Sequence, residues 1–351
     1  MSSQTIAPIT LGAARPLAAD AGRRFDLLSI AVIAWLLGGL YADGWAHNNR
    51  LPDSFWTVWH AIFYSGFAAC AVVILGAIAL RRPAAPSWRA AVPRGYAAAA
   101  VGVAVFAIGG MADTAWHTAF GVEVGNDILL SPSHMLLGLG MFLIVSGPFV
   151  ADLRRDDRGP SLARRLPMVL SLVGIFSLLT FFTLYSGPYS NFLGATGNGT
   201  TSDRVFRGLL GMFLFSGLLS GLLLVVLRRT SLPVGAVTLI LGLDGVAMIL
   251  MGSRDTPLDV QLSFGAVAVG AGIIGDVLLW RLRPSAARPL ALRTIAAALP
   301  AAYFVLYFAV VYLRYGFGWT FTFVSGSVIL CGVVGLLLSF IALPPAGSAA
   351  D

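Results

Sequence analysis

The chain has no lysine: all 23 of its basic residues are arginine. That excludes a retinal Schiff base and a lysine nucleophile. Charge is scarce altogether, with 11% charged residues against 58% hydrophobic and a mean hydropathy of +0.84, far from the balance of a water-soluble domain. No flavin or nicotinamide fingerprint and no Cys-x-x-Cys-His haem attachment motif is present, so redox chemistry would need an external electron donor or a partner subunit. The two cysteines, Cys70 and Cys331, both fall in apolar runs and read as buried thiols rather than a disulfide or metal ligands. Histidine is limited to four residues, and their placement carries most of the functional information.

What the chain does have is a series of apolar runs of bilayer-spanning length, about twenty residues each. Ten are expected, at 25–46, 55–80, 95–117, 131–152, 165–186, 205–228, 233–252, 259–281, 293–314 and 319–343. The fold class that follows is all-α, a polytopic membrane bundle of about ten transmembrane helices arranged as antiparallel hairpins. Residues 1–22 form an N-terminal tail, 23–344 a single transmembrane domain and 345–351 a C-terminal tail. No cleavable leader is expected, because the first span is too long and no small-residue cleavage site follows it. The 40 glycines suit helices that approach closely in lipid.

Arginine sets the expected orientation. Eighteen of the 23 precede span one or lie between spans two and three, four and five, six and seven, or eight and nine; only Arg50, Arg204, Arg207, Arg254 and Arg314 fall on the opposite side. Positive residues stay cytoplasmic, so both termini are expected inside a bacterial-type cytoplasmic membrane. The net charge of +7 then belongs to membrane loops and points to the lipid bilayer as partner, not to nucleic acid.

The stretch Asp113 to His134 organises the rest. Asp113 and His117 are four residues apart, so on one helix they share a face one turn apart and can meet a single ion. His134 follows a loop and lies just inside the next helix. The other two histidines repeat the pattern: Asp43 and His47 four apart, then His60. Ala42-Asp43-Gly44-Trp45-Ala46-His47 aligns with Ala112-Asp113-Thr114-Ala115-Trp116-His117. The hairpins 25–80 and 95–152 thus read as an internal repeat with one Asp/His/His set each. Leu243 to Met248 is a weak third copy, with Met248 where histidine would stand.

Two imidazoles and a carboxylate suit copper, zinc, iron or nickel and leave coordination positions open. The two sets can make one binuclear or two mononuclear sites. Trp45, Trp56, Trp59 and Trp116 either shield the histidines from water or form an ordinary interfacial aromatic belt. Glu123 and Asp127, in the loop between His117 and His134, are candidate further ligands or simply solvated acids. Asp244, Asp255 and Asp259 are weaker candidates, and Met248 and Met251 read as core rather than as thioether ligands. Among the inner halves of the spans, Asp276 is the main polar exception.

Asp113-x-x-Trp116-His117 followed by Ser131-Pro132-Ser133-His134 resembles the C subunit of the copper membrane monooxygenases, the particulate methane and ammonia monooxygenases. Asp43-Gly44-Trp45-Ala46-His47 followed by His60 looks like that family's second motif, with Asp in place of Asn. The resemblance covers residues 40–62 and 110–140. Here the loop before His134 is longer, the two motifs stand in the reverse order, and ten spans exceed that subunit's count. It implies copper bound by Asp113, His117 and His134 and by Asp43, His47 and His60. The activity it implies is O2-dependent oxidation of a small apolar substrate. The residues themselves leave other metals open: non-haem iron, zinc, or haem b held between His60 and His134. They also leave open a protein of copper or zinc uptake, storage or delivery, and a proton-coupled transporter without metal in which Asp43 and Asp113 carry the proton.

Overall fold

In a computed structural model, residues 15–51, 56–121, 127–156, 159–188, 201–252, 254 and 257–343 are described. Their regular structure is helical, in the expected order: α1 (Arg15–Asn48), α2 (Val58–Arg81), α3 (Ala97–Phe120), α4 (Pro132–Val145, continued after a break at Ser146 by Gly147–Leu153), α5 (Leu162–Phe182), α6 (Ser202–Leu227), α7 (Ala236–Leu250), α8 (Leu258–Leu282), α9 (Pro289–Tyr315) and α10 (Phe321–Ala342). Among the described residues nine helices are long and apolar enough to cross a bilayer. Large apolar side chains such as Leu80, Leu313 and Ile341 are mostly exposed, a surface suited to lipid rather than to water. Cys70 and Cys331 are buried free thiols.

The tenth helix, α7, has only 15 residues, about 22 Å of rise, yet it reaches both ends of the bundle. At one end the Arg165 guanidinium, in the first turn of α5, donates to the Ser231 carbonyl and to Thr230 Oγ1. At the other, Asn48 Nδ2 at the end of α1 donates to the Met251 carbonyl at 2.9 Å. Gly235 precedes the first turn of α7 and offers no capping side chain. Asp276 of α8 supplies one instead: its carboxylate accepts from the amides of Val237 and Thr238 at 3.1 and 3.0 Å and from the Thr238 hydroxyl. An anion at a helix N-terminus is favoured by the helix dipole as well as by the bonds themselves. The isolated inner-half carboxylate of the sequence is thus a cap lent by a neighbouring helix.

Longer side chains knit the arginine-rich end. Arg155 of the α4–α5 connection pairs with Asp26, which also accepts from the Tyr96 hydroxyl at 2.8 Å; Arg165 pairs with Asp152. Helix α1 starts at Arg15, ahead of the expected apolar edge, because Pro-Leu-Ala-Ala can open and extend a helix without being membrane-buried.

The two Asp/His hairpins, α1–α2 and α3–α4, pack in the same register. A Cβ at Gly39 would fall 2.5 Å from Phe63 Cα, and one at Gly66 2.6 Å from Leu36 Cα. In the second hairpin a Cβ at Gly109 would fall 3.0 Å from Leu137 N, and one at Gly140 2.6 Å from Phe106 N. Relative to the ligands, the positions are identical: glycine four before each Asp meets the residue three after the second His, and glycine six after that His meets the residue seven before the Asp. Close backbone approach at these points fixes the axial offset of the paired helices, and with it the level at which each Asp faces its second His.

Candidate metal centre

In the second hairpin, Asp113 lies buried near the end of α3 with only 3% of its side chain exposed, and both histidines converge on one of its oxygens. His117 Nε2 is 3.4 Å and His134 Nε2 3.2 Å from Asp113 Oδ1. One ligand atom from each of the three residues lies within 4.8 Å of the others. For metal–ligand bonds near 2.0 Å and tetrahedral angles, neighbouring donors stand about 3.3 Å apart. The Asp–His separations therefore match the edges of a coordination polyhedron.

The remaining ring nitrogens are already engaged. His117 Nδ1 lies 3.3 Å from the Gly121 carbonyl, which can only accept, so Nδ1 carries the hydrogen. That turns Nε2 to the carboxylate oxygen, where either a metal ion or the ring's own proton can lie between them. His134 Nδ1 is 2.8 Å from Ser131 Oγ, and the same oxygen accepts from the His134 amide as N-cap of α4. Ser133 Oγ donates to Asp113 Oδ1 at 2.9 Å, orienting the carboxylate. Both serines were part of the motif, but only Ser131 has a signal of its own, a Ser at N-cap with His three residues on; Ser133 acts by holding the carboxylate.

The first hairpin reproduces the plan more loosely. His47 Nε2 approaches Asp43 Oδ2 at 3.6 Å, while His60 Nε2 approaches the other oxygen, Oδ1, at 3.7 Å. Thr57 takes the role of Ser131: it caps α2 by accepting from the His60 amide, and its hydroxyl is 2.9 Å from His60 Nδ1. Asp43 is more open than Asp113, with 18% of its side chain exposed. The residue equivalent to Ser133 is Trp59, which has no short donor for the carboxylate; its ring packs edge-on against Trp45, 5.5 Å between centroids. The Arg254 guanidinium also lies over the Trp45 ring, 4.7 Å from its centroid.

Trp45 and Trp59 thus sit beside the first set, whereas Trp116 packs on Phe120, 4.6 Å between centroids, and Trp56 is largely exposed. The side chains of Glu123 and Asp127 lie outside the described residues, as do Asp53 and Asp255, although Asp127 opens a short helix, Asp127–Leu130. Asp259 pairs at the surface with Arg314, 2.8 Å. Met248 and Met251 are buried, and the Met251 thioether packs under Gly44, where a Cβ would come within 2.8 Å of it. Asp244 is buried at a distinct place, bonded to Thr180 of α5, and its hairpin offers no histidine to complete a third copy.

One residue that sequence reading passed over packs between the two hairpins. Tyr64 lies one turn after His60, its ring stacked with the imidazole at 6.4 Å. It also lies against α3, where a Cβ at Gly110 would come 3.3 Å from its ring. The smallness of Gly110, one turn before Asp113, is the only trace of this in the sequence.

Comparison with protein-family models, with characterised proteins and with solved structures finds no match. The class is therefore carried by fold and site alone: a multi-pass helical membrane protein with an Asp/His triad able to hold a metal ion.

Proposed function

We propose that this protein is an integral membrane metalloprotein whose principal site is Asp113, His117 and His134, with copper as the resident metal. The observation that carries the reading is the His117 imidazole. With Nδ1 turned to a carbonyl, its Nε2 and that of a converging second histidine both reach one carboxylate oxygen. Nitrogen-rich sets of this kind favour copper over the other common divalent ions, and the likeness of Asp-x-x-Trp-His and Ser-Pro-Ser-His to the copper membrane monooxygenases supports the same ion. Each second-hairpin histidine faces the aspartate of its own hairpin rather than another histidine across an open slot, which favours a bare ion over haem.

A redox metal held by three protein ligands supplies O2 reactivity at its remaining coordination positions. On this reading the chain's residues do three things. Asp113 and the two histidines hold the ion, Ser131, Ser133 and the Gly121 carbonyl orient them, and lipid-facing Met111 and Phe120, both exposed, offer an apolar approach for a small hydrophobic substrate. The site would face the outer side, where the arginine distribution places the hairpin tips. An electron donor or partner subunit would complete the turnover.

Elemental analysis of the purified protein, beside His117→Ala and His47→Ala, tests the proposal. Copper at one to two ions per chain, lost from the Asp113 site in His117→Ala, would support it and lead to measurement of O2 consumption with small hydrocarbons. Zinc alone, bound and exchanged without O2 chemistry, would support metal handling instead, a reading favoured by the looser, more open first hairpin as a capture site. Absence of metal after loading would remove the metal reading.

A further inference from the structure

Five aspartates are buried among the described residues, and four have an evident partner for their charge. Asp26 has Arg155, Asp152 has Arg165, Asp276 has the N-terminus of α7, and Asp113 has two histidines. Asp244 is the exception. It is 0% exposed, in α7, and its bond to Thr180 Oγ1, 2.7 Å, is to a neutral hydroxyl. Its second oxygen, Oδ2, is buried with no hydrogen-bond partner among the described residues. A lone carboxylate enclosed by membrane helices is among the costliest groups a bundle can hold, and such groups are neutralised or bind an ion.

The surroundings supply hard oxygen donors and space. Thr180 accompanies the carboxyl, and the Ser177 carbonyl accepts from the Tyr41 hydroxyl of α1 at 3.1 Å. Thr180 and Met248, one turn on from Asp244, line a cavity that also meets Ser186. The Ser186 hydroxyl is itself buried and without a partner among the described residues. Of the two unsatisfied buried oxygens, the Ser186 hydroxyl belongs to a cavity-lining residue, and Asp244 is joined to the cavity through its bond to Thr180. Tyr41 is the titratable side chain facing this carboxyl from α1. On α8 the nearest carboxylate is Asp276, which caps the opposite end of α7, seven residues or about 10 Å along the helix. No arginine or histidine pairs with Asp244 among the described residues.

We infer that Asp244, with Thr180 and the Ser186-lined cavity beside it, is a binding site for a single monovalent cation, a proton or Na+. This site differs from the Asp/His centres: it has no nitrogen donor, and its carboxyl and hydroxyl come from α7 and α5, outside the two repeated hairpins. It gives the bundle a means of coupling an ion to the conformation of α7, whose two ends are tied to opposite faces of the protein.

The test uses the full chain purified in detergent or nanodiscs. Thermal unfolding is followed in NaCl and in choline chloride at equal ionic strength, for wild type, Asp244→Asn and Thr180→Val. Infrared spectra are recorded without sodium at neutral pH. A saturable rise in Tm with Na+ that is absent in Asp244→Asn and shifted to higher Na+ in Thr180→Val identifies sodium. No sodium effect, with the carbonyl stretch of a protonated carboxylic acid that Asp244→Asn lacks and Thr180→Val shifts, identifies the proton. Wild type showing neither a sodium response nor a protonated carboxyl overturns the inference, and that result needs no variant to fold. Copper content of Asp244→Asn is expected to equal that of wild type, so failure of this inference and failure of the metal reading are separable.

Discussion

The two Asp/His hairpins share their helix register, their capping hydroxyl and their ligand spacing, yet only the second brings its donors onto one oxygen. In α3–α4 the carboxylate is buried and held by Ser133, and both Nε2 atoms converge on Oδ1 at 3.2 and 3.4 Å. In α1–α2 the position of Ser133 is taken by Trp59, the carboxylate is more open, and the histidines address different oxygens at 3.6 and 3.7 Å. The difference lies in what supports the ligands, since the ligands are the same. A metal site's affinity depends on how far its donors must move, and hydrogen-bonded support around them decides that.

That comparison can be broken most severely at the ligands. His117→Ala or His134→Ala is expected to weaken metal binding at the second hairpin by on the order of 100-fold or more, above the effect of losing a supporting group. His47→Ala should leave the tight ion in place. Titration of the demetallated protein with metal measures both, and equal losses in all variants would mean that the hairpins form one shared centre.

Next in size is the helix register. Gly140→Ala drives a Cβ to 2.6 Å from the Phe106 backbone, whereas Gly109→Ala meets Leu137 only at 3.0 Å. The first should cost about 1–3 kcal/mol in stability, read as a fall in unfolding midpoint, and should misalign Asp113 and His134; the second should cost clearly less.

Ser133→Ala removes the donor that the first hairpin lacks, so it should make the second hairpin resemble the first. The expected loss is roughly 10-fold in metal affinity, with no change in the metal held near Asp43. Smallest is Thr57→Val, which removes an N-cap worth about 1 kcal/mol and releases His60 Nδ1. It should lower the unfolding midpoint slightly while leaving the Asp113 set intact, whereas Thr57→Ser should behave as wild type.

Much of the fold was legible because lipid imposes a simple code. Without water to satisfy the backbone, an apolar run of span length can only be a helix, so element order and, apart from the early start of α1, the span edges to within a few residues followed from hydropathy. The exception, α7, is instructive. Its apolar run was readable, but its shortness and its cap were not, because Asp276 comes from a different helix and its use depends on packing. The sets Asp43/His47/His60 and Asp113/His117/His134 were legible from i, i+4 spacing and the repeated hairpin. The Gly39/Gly66 and Gly109/Gly140 register was written in the same repeat, hidden among 40 glycines.

The sequence by itself determined a helical membrane bundle, two Asp/His/His sets and their place at one end of it, because hydropathy and helical periodicity are local properties. Only the tertiary structure decided that one set is compact and the other loose, that Tyr64 packs between the two hairpins, and that Asp244, alone among the buried acids of the described residues, has neither a countercharge nor a helix N-terminus. Those facts depend on which oxygen a side chain from another helix reaches. Distances of a few tenths of an ångström across helix interfaces are set by packing, which no local pattern encodes.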